Sequence, residues 1–206
     1  MHLDDIIGQD NVIRVLKGFV GRPQARCFLF VGAPGIGKTH TSQSMAADLG
    51  CFDEWSGRWQ ERCSDFSVER ARELFGRTLR LRFENNGWNT LILEELEWIS
   101  AQCQRFLKDA LDPRTSMLPN LVVVATSNGV DGLDRALLQR FRQYTFDSGP
   151  RFAQSCRQEI VRRWRAQAGD APLPHDWTKW GQDGEDFSMR LALQELEDHL
   201  CLEMVA

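Results

Sequence analysis

No run of about 18 consecutive apolar residues occurs in the 206-residue chain, so a helical membrane span is not expected. The opening residues M-H-L-D-D-I-I have neither a basic region nor an apolar core, so a signal peptide is not expected either, and the reading is a cytoplasmic protein. No C-x-x-C pair occurs. The six cysteines, Cys27, Cys51, Cys63, Cys103, Cys156 and Cys201, are scattered, which argues against a zinc site or a disulfide framework and leaves reduced, mostly buried thiols. A net positive charge is missing too. The formal charge of −4 gives no global pull toward nucleic acid, so any such contact must be local. Lysine is scarce: Lys17, Lys38, Lys108 and Lys179 are the lysines among 25 basic residues, and the remainder are arginines, suited to bidentate contacts with phosphate and carboxylate. No internal repeat or low-complexity tract is present. With 42% hydrophobic and 26% charged residues, the composition fits one α/β domain plus a small appendage.

The stretch from Cys27 to Thr39, C-F-L-F-V-G-A-P-G-I-G-K-T, sets an apolar run against a loop with the spacing G-x-x-x-x-G-K-T. Gly32, Gly35 and Gly37 lack a Cβ, so the backbone N–H groups of the loop that also carries Ala33, Pro34 and Ile36, proline excepted, can turn inward onto phosphate oxygens. Lys38 would reach the β- and γ-phosphates, and Thr39 would offer its hydroxyl to Mg²⁺. The helix that starts there, read over Thr41 to Leu49 with His40 among the candidate nucleotide-binding residues, aims its positive dipole end at the same anion. Phe28 to Val31 reads as a buried strand, so strand, loop and helix come in the order a phosphate cradle requires.

Ahead of the cradle, Val12, Val15, Leu16 and Phe19 have helical spacing. The Ile6-Ile7 pair beside Gly8 fits either a cover for an adenine ring or a staple packing the helix start on the core. After the cradle, Arg58 to Cys63 alternates as a short strand, and Asp65 or Ser67 can cap a helix from about Ser67 to Arg82. Arg70, Arg77 and Arg80 line one face of that helix, either as a stripe along a phosphate backbone or as a solvated face paired with Glu69 and Glu73. The turn N-N-G-W-N leads into Thr90 to Glu95, a buried strand ending in two carboxylates. Glu94 has the place of a Mg²⁺ ligand, and Glu95 that of the group that orients or deprotonates the attacking water. A helix from about Ser100 to Leu111 precedes a third apolar strand ending on Ser127 and Asn128. Asn128 fits either a contact with the γ-phosphate and lytic water or a plain turn before Gly129. Arg140, at the end of a short helix, fits either a cap on the last carbonyls or a group presented to a neighbouring subunit's nucleotide. Asp147 to Pro150 is the expected boundary between an α/β domain, residues 1–148, and a small helical domain, residues 149–206, with Trp177 and Trp180 in its Pro/Gly-broken middle.

This order of motifs resembles the AAA+ ATPases over nearly the whole chain. I-I-G-Q-D, C-S-D, A-Q-C-Q-R-F-L-K-D-A-L and L-Q-R-F look most like the clamp-loader and branch-migration groups. The resemblance implies a P-loop parallel sheet flanked by helices with a small all-helical lid. It makes Lys38 and Thr39 the Walker A pair, Glu94 and Glu95 the Walker B pair, Asn128 sensor 1, Arg140 the arginine finger and Arg190 sensor 2, with Ile6, Ile7, Gly8 and Gln9 in the segment lining the adenine pocket. The implied cofactors are ATP and Mg²⁺. The implied partners are further copies of the chain in a ring or spiral, or AAA+ hetero-partners, and DNA as a client, with no membrane. Q-R-F stands where clamp loaders have S-R-C, and neither a C-terminal collar nor a winged-helix domain follows, so a minimal module is expected. Three functions remain open: a loader or remodeller of nucleic acid, a nucleotide-gated module with little hydrolysis, for which Glu94 in place of the usual Asp speaks, and a protein remodeller.

Overall fold

The computed structural model describes residues 1–80, 87–169, 171–173 and 188–205. The turn at Asn85-Asn86, the expected helix end at Arg82, and Trp177 and Trp180 lie outside the described residues.

Five strands form one sheet in the order β2-β3-β4-β1-β5: β1 Arg26–Val31, β2 Arg58–Arg62, β3 Asn89–Glu94, β4 Leu121–Ser127 and β5 Phe141–Thr145. Every pairing is parallel. Parallel strands need crossovers, and helices supply them on both faces, which is why the central strands read as continuous apolar runs. All seven residues of β4 are buried. Alternation along β1 sorts its side chains between two cores, because successive Cβ atoms point to opposite faces. Phe28 and Phe30 join Ile92, Val122 and Val124 beneath the helices α1 (Asp10–Val20), α2 (Lys38–Asp48), α6 (Pro150–Ala168) and α7 (Met189–Val205). Cys27 and Leu29 join Leu91, Leu93, Val123 and Ala125 beneath α3 (Val68–Gly76), α4 (Ala101–Ala110) and α5 (Arg135–Leu138).

The helix starts follow from local chemistry. Ser67, not Asp65, caps α3 by accepting from the Arg70 amide at 3.1 Å, and Ser100 caps α4 by accepting from the Cys103 amide at 3.2 Å. Asp134 caps α5, accepting from the amides of Ala136 at 2.6 Å and Leu137 at 3.3 Å. The α3 helix ends at Gly76, short of the expected length, because glycine is a poor helix interior residue, and a 3₁₀ turn over Thr78–Arg80 follows. Its Arg70 is ion-paired to Glu61 at 2.8 Å and Glu73 at 2.9 Å, so of the two readings of that arginine, the paired face holds. In α1 the buried stripe is Val12, Ile13, Leu16 and Phe19, and Val15, expected inside, is 42% exposed.

The N-terminal segment is pinned at both ends. A 3₁₀ turn, Leu3–Asp5, buries Leu3, whose amide donates to Asp48 at the end of α2 at 3.0 Å. Gln9 is 4% exposed and clasps the chain after β5: its Nε2 donates to the Asp147 carbonyl at 2.8 Å, and its Oε1 accepts from the Asp147 amide at 3.0 Å. Between them Gly8 takes φ +71°, and a Cβ there would stand 2.7 Å from the buried ring of Phe152 in α6. Residues of α6 and α7, among them Phe152, Cys156, Ile160, Trp164, Ala192 and Leu196, thus belong to the same core as the α1 and α2 face of the sheet. No helix among the described residues is long and apolar enough to cross a membrane. Gly8→Ala is expected to cost about 1–3 kcal/mol of stability from the left-handed torsion and the crowding of Phe152, read as a lower midpoint in urea unfolding.

Candidate active site

In open parallel sheets ligands collect at the carboxyl ends of the strands, and a cavity of about 440 Å³ opens there. That size suits a small-molecule ligand, for which sites of about 300–1,000 Å³ are usual. The loop from Pro34 to Gly37 and the first residues of α2, Lys38, Thr39 and His40, form its floor. Ile6, Ile7, Phe152 and Leu193 supply apolar lining, Glu95 and Asn128 line it from the ends of β3 and β4, and Arg163 and Arg190 reach it from α6 and α7.

Two glycines of the loop are required by geometry. Gly37 caps α2 with φ +93° and has nothing within 4 Å of where a Cβ would sit, so the space above the helix start is open to an anion. Gly35 has φ +79°, and a Cβ there would lie 2.1 Å from Ser188 Oγ, the residue just before α7.

Lys38 is 8% exposed, and its ammonium donates to the carbonyls of Gly32 at 2.6 Å and Ala33 at 2.7 Å and to Asn128 Oδ1 at 3.0 Å. Burial pushes its pKa down to about 8; the Glu97 carboxylate works against that shift and the Arg190 guanidinium adds to it. The His40 imidazole is likewise held below its ordinary value, chiefly by burial. Arg163 is anchored at the rim by Glu159, bonded at 2.8 Å. The bonds from Arg162 and then Arg163 pull the Glu159 carboxyl down to about 2.

The strand β3 ends in a tight turn. Glu95 takes the left-handed conformation at φ 56°, the one such non-glycine torsion among the described residues, and its amide lies 3.4 Å from Thr126 Oγ1. Strain of this kind is found where the surroundings fix a side chain for a task. A 3₁₀ turn, Leu96–Trp98, follows and brings Glu97 back onto the end of β4. Glu97 Oε2 accepts from Ser127 Oγ at 2.6 Å, and Glu97 Oε1 accepts from the Asn128 amide at 3.1 Å and from Asn128 Nδ2 at 2.8 Å.

The fold therefore gathers Ile6, Ile7, Pro34, Gly35, Ile36, Gly37, Lys38, Thr39, His40, Glu95, Asn128 and Arg190 around one cavity. Gly32 and Ala33 stand behind it and serve Lys38 through their carbonyls. Gly8 instead packs against Phe152. Glu94 is half-buried at the end of β3 and is not part of the cavity wall. Arg140 is elsewhere: its Nε donates to the Lys108 carbonyl at 3.2 Å and its guanidinium pairs with Asp112 at 2.7 Å, both at the C-terminal end of α4. Sequence reasoning missed Glu97, although a third carboxylate in E-E-L-E was its signal; it also missed Phe152 and Arg163, whose approach depends on how α6 packs.

The oxygen donors suit a hard cation. Among the described residues no cluster of three or more His, Cys, Asp or Glu could hold a metal alone. Mg²⁺ needs no such cage: one or two protein oxygens would suffice if phosphates and water completed its shell, and Thr39 and a carboxylate at the end of β3 are the residues that would supply them.

The parallel sheet, glycine cradle and acidic strand end define a phosphate-binding α/β fold of the nucleotide-hydrolase class. Residues 28–147 match the profile of the ATPase family associated with various cellular activities, AAA, and the chain belongs to that family. The replication factor C small subunit of Archaeoglobus fulgidus is 33% identical over 117 residues, covering 53% of this chain and 35% of that protein. The ATP-dependent Clp protease ATP-binding subunit ClpL of Lactococcus lactis subsp. lactis is 26% identical over 191 residues, covering 77% of this chain and 25% of that protein. The aligned part of the chain spans about a third of the replication factor C relative. In fold it is similar to the Thermotoga maritima RuvB Holliday junction branch migration motor, with a TM-score of 0.71 at 17% identity over 95% of this chain and 63% of that one.

With Lys38 at about 8, its charge is lost as pH rises through that value, whereas an anion bound against it holds the proton on. Nucleoside triphosphate affinity is therefore expected to be flat below about pH 7 and to fall by up to about tenfold per pH unit above about pH 8. Lys38→Arg should remove that fall, because a guanidinium stays charged. Titrating a fluorescent nucleotide across this range checks both.

Proposed function

We infer that this chain is the ATP-hydrolysing module of an oligomeric AAA+ machine that acts on nucleic acid or nucleoprotein. The observation that carries the reading is the convergence on one cavity of the Lys38 loop, Glu95 on its strained turn and Asn128 at the end of the neighbouring strand. In this reading the loop and α2 hold the triphosphate, the Ile6-Ile7 wall covers the base, and Lys38 exchanges the Gly32 and Ala33 carbonyls for phosphate oxygens. Glu95 takes the proton of the attacking water, and Asn128 orients that water or the γ-phosphate. Thr39 and Glu94 would hold Mg²⁺, which when bound neutralises charge on the β- and γ-phosphates. Residues 149–206 act as a lid, with Arg190 touching the nucleotide from α7. Arg140 lies away from its own chain's cavity, as expected of a group that completes a neighbour's site in a ring or spiral.

The names of the replication factor C and branch-migration relatives support nucleic acid as the client. A second reading, remodelling of protein, is favoured by the ClpL alignment, which covers more of the chain. ATP hydrolysis measured against protein concentration, with and without single- and double-stranded DNA, separates them. Turnover that rises with concentration and with DNA is the expected result. Turnover indifferent to DNA but stimulated by an unfolded protein sinks the nucleic-acid reading, and binding without turnover leaves a nucleotide-gated module.

Lys38→Ala is expected to abolish nucleotide binding. Glu95→Gln should bind normally and lose about 100- to 10,000-fold in kcat. Arg140→Ala should bind nucleotide near normally and fail to turn over, and mixing it with Glu95→Gln protein should restore some hydrolysis at mixed interfaces. No recovery in the mixture counts against a finger acting between subunits.

A further inference from the structure

We propose that Glu97 is a positioning residue for hydrolysis: it fixes the Asn128 amide and braces the turn that carries Glu95. The inference deepens the ATPase reading and rests on it.

The chemistry of the three bonded groups determines how they face. A carboxylate only accepts, so the donor end of the Asn128 amide must face Glu97 Oε1, at 2.8 Å. An ammonium only donates, so the acceptor end must face Lys38, at 3.0 Å. The amide is thus held from both sides. One of those sides is temporary. When phosphate takes the donors of Lys38, the bond from Lys38 to Asn128 Oδ1 competes with stronger charge-assisted bonds, and Glu97 is what still holds the side chain. Glu97 also accepts from the Asn128 backbone amide at 3.1 Å, so it fixes the end of β4 together with the amide that projects from it.

The same carboxylate joins two strands. Its Oε2 accepts from Ser127 at 2.6 Å, and its own backbone lies in the 3₁₀ turn that begins directly after Glu95. The turn is therefore tied to β4 through three hydrogen bonds, and Glu95 keeps its left-handed torsion between two fixed points, the end of β3 and the Glu97 brace. Glu97 is not placed among the cavity-lining residues, unlike Glu95 and Asn128, so its influence on the reacting groups runs through those two.

A positional role differs from a charge role in what replaces it. A glutamine at 97 can accept from both Asn128 groups with its Oε1, and its Nε2 can donate to Ser127 Oγ, whose single hydrogen then turns from residue 97 to its other acceptor, the Gly129 carbonyl. An alanine supplies none of this.

The test measures kcat for ATP and the Kd of a fluorescent ATP analogue for wild type, Glu97→Ala and Glu97→Gln, with hydrogen exchange at the Asn128 backbone and side-chain amides followed by NMR. Glu97→Ala is expected to lose about 10- to 100-fold in kcat, as removal of an orienting partner typically does, with Kd within about threefold. Glu97→Gln is expected to recover most of the turnover and the exchange protection of Asn128. Wild-type kcat in Glu97→Ala overturns the proposal, and so does a Glu97→Gln variant as slow as Glu97→Ala, which would assign the effect to charge. If Glu97→Ala does not fold, Glu97→Asp takes its place: it keeps the charge, is one methylene shorter, and should lose turnover that Glu97→Gln retains. Absence of turnover in wild type is the failure of the ATPase reading, and exchange then decides the brace: equal Asn128 exchange in wild type and variant overturns it.

Discussion

Because β1 pairs in parallel with β4 on one side and β5 on the other, Val31, Ser127 and Thr145 finish side by side. The β3 and β4 register adds the end of β3 to that row. Everything the cavity needs leaves the sheet at this edge: the glycine loop after Val31, the carboxylates at and beyond Glu94, and Asn128 after Ser127. A slip of one residue in any of these pairings would exchange side chains between the two cores and move these groups out of line. Register is protected by the burial of both faces of β1, β3 and β4, so the energy that folds the sheet is also what aligns the site.

The loop carries its own solution to holding a cation without a phosphate. A buried ammonium with no partner would be costly, and burial does lower the Lys38 pKa. Two loop carbonyls and the Asn128 oxygen take its three hydrogens, so the charge is satisfied within the fold. These partners are neutral dipoles. In the proposed reaction a triphosphate would offer full negative charge at the same place, and exchange of one set for the other would favour the ligand without leaving either state unpaired.

Much of this was legible in the sequence, and the reasons are particular. The strands β1, β3 and β4 are short apolar runs that end in Gly32, Glu94-Glu95 and Ser127-Asn128, so pattern and motif located them together. Glycine spacing gave the cradle its meaning because only glycine accepts the torsions seen at Gly35 and Gly37. What stayed hidden depended on orientation. Both Ile13 and Val15 fit a helical stripe in α1, and only the angle at which the helix packs decides that Ile13 goes in and Val15 out. Glu97 could be counted in E-E-L-E, but its return to β4 follows from the left-handed torsion at Glu95, which no propensity assigns to a glutamate. Arg140 was placed in sequence at the end of α5, yet its guanidinium bonds to another helix, a long-range contact without a local signal.

That contact gives α4 two occupied ends. Its first turn is capped by Ser100, two residues beyond the turn that holds Glu97, and its last turn receives Arg140 through the Lys108 carbonyl, with Asp112 just beyond. Ten residues of helix separate them, a stiff rod of about 15 Å. Gln104 midway along it bonds the amide of Asp134 at 2.6 Å and so fixes the rod to the cap of the very helix that Arg140 follows. A helix of this length shifts or tilts as a unit more readily than it bends. The turn that holds Glu95 and Glu97 and the ion pair of Arg140 with Asp112 are therefore mounted at the two ends of one rod.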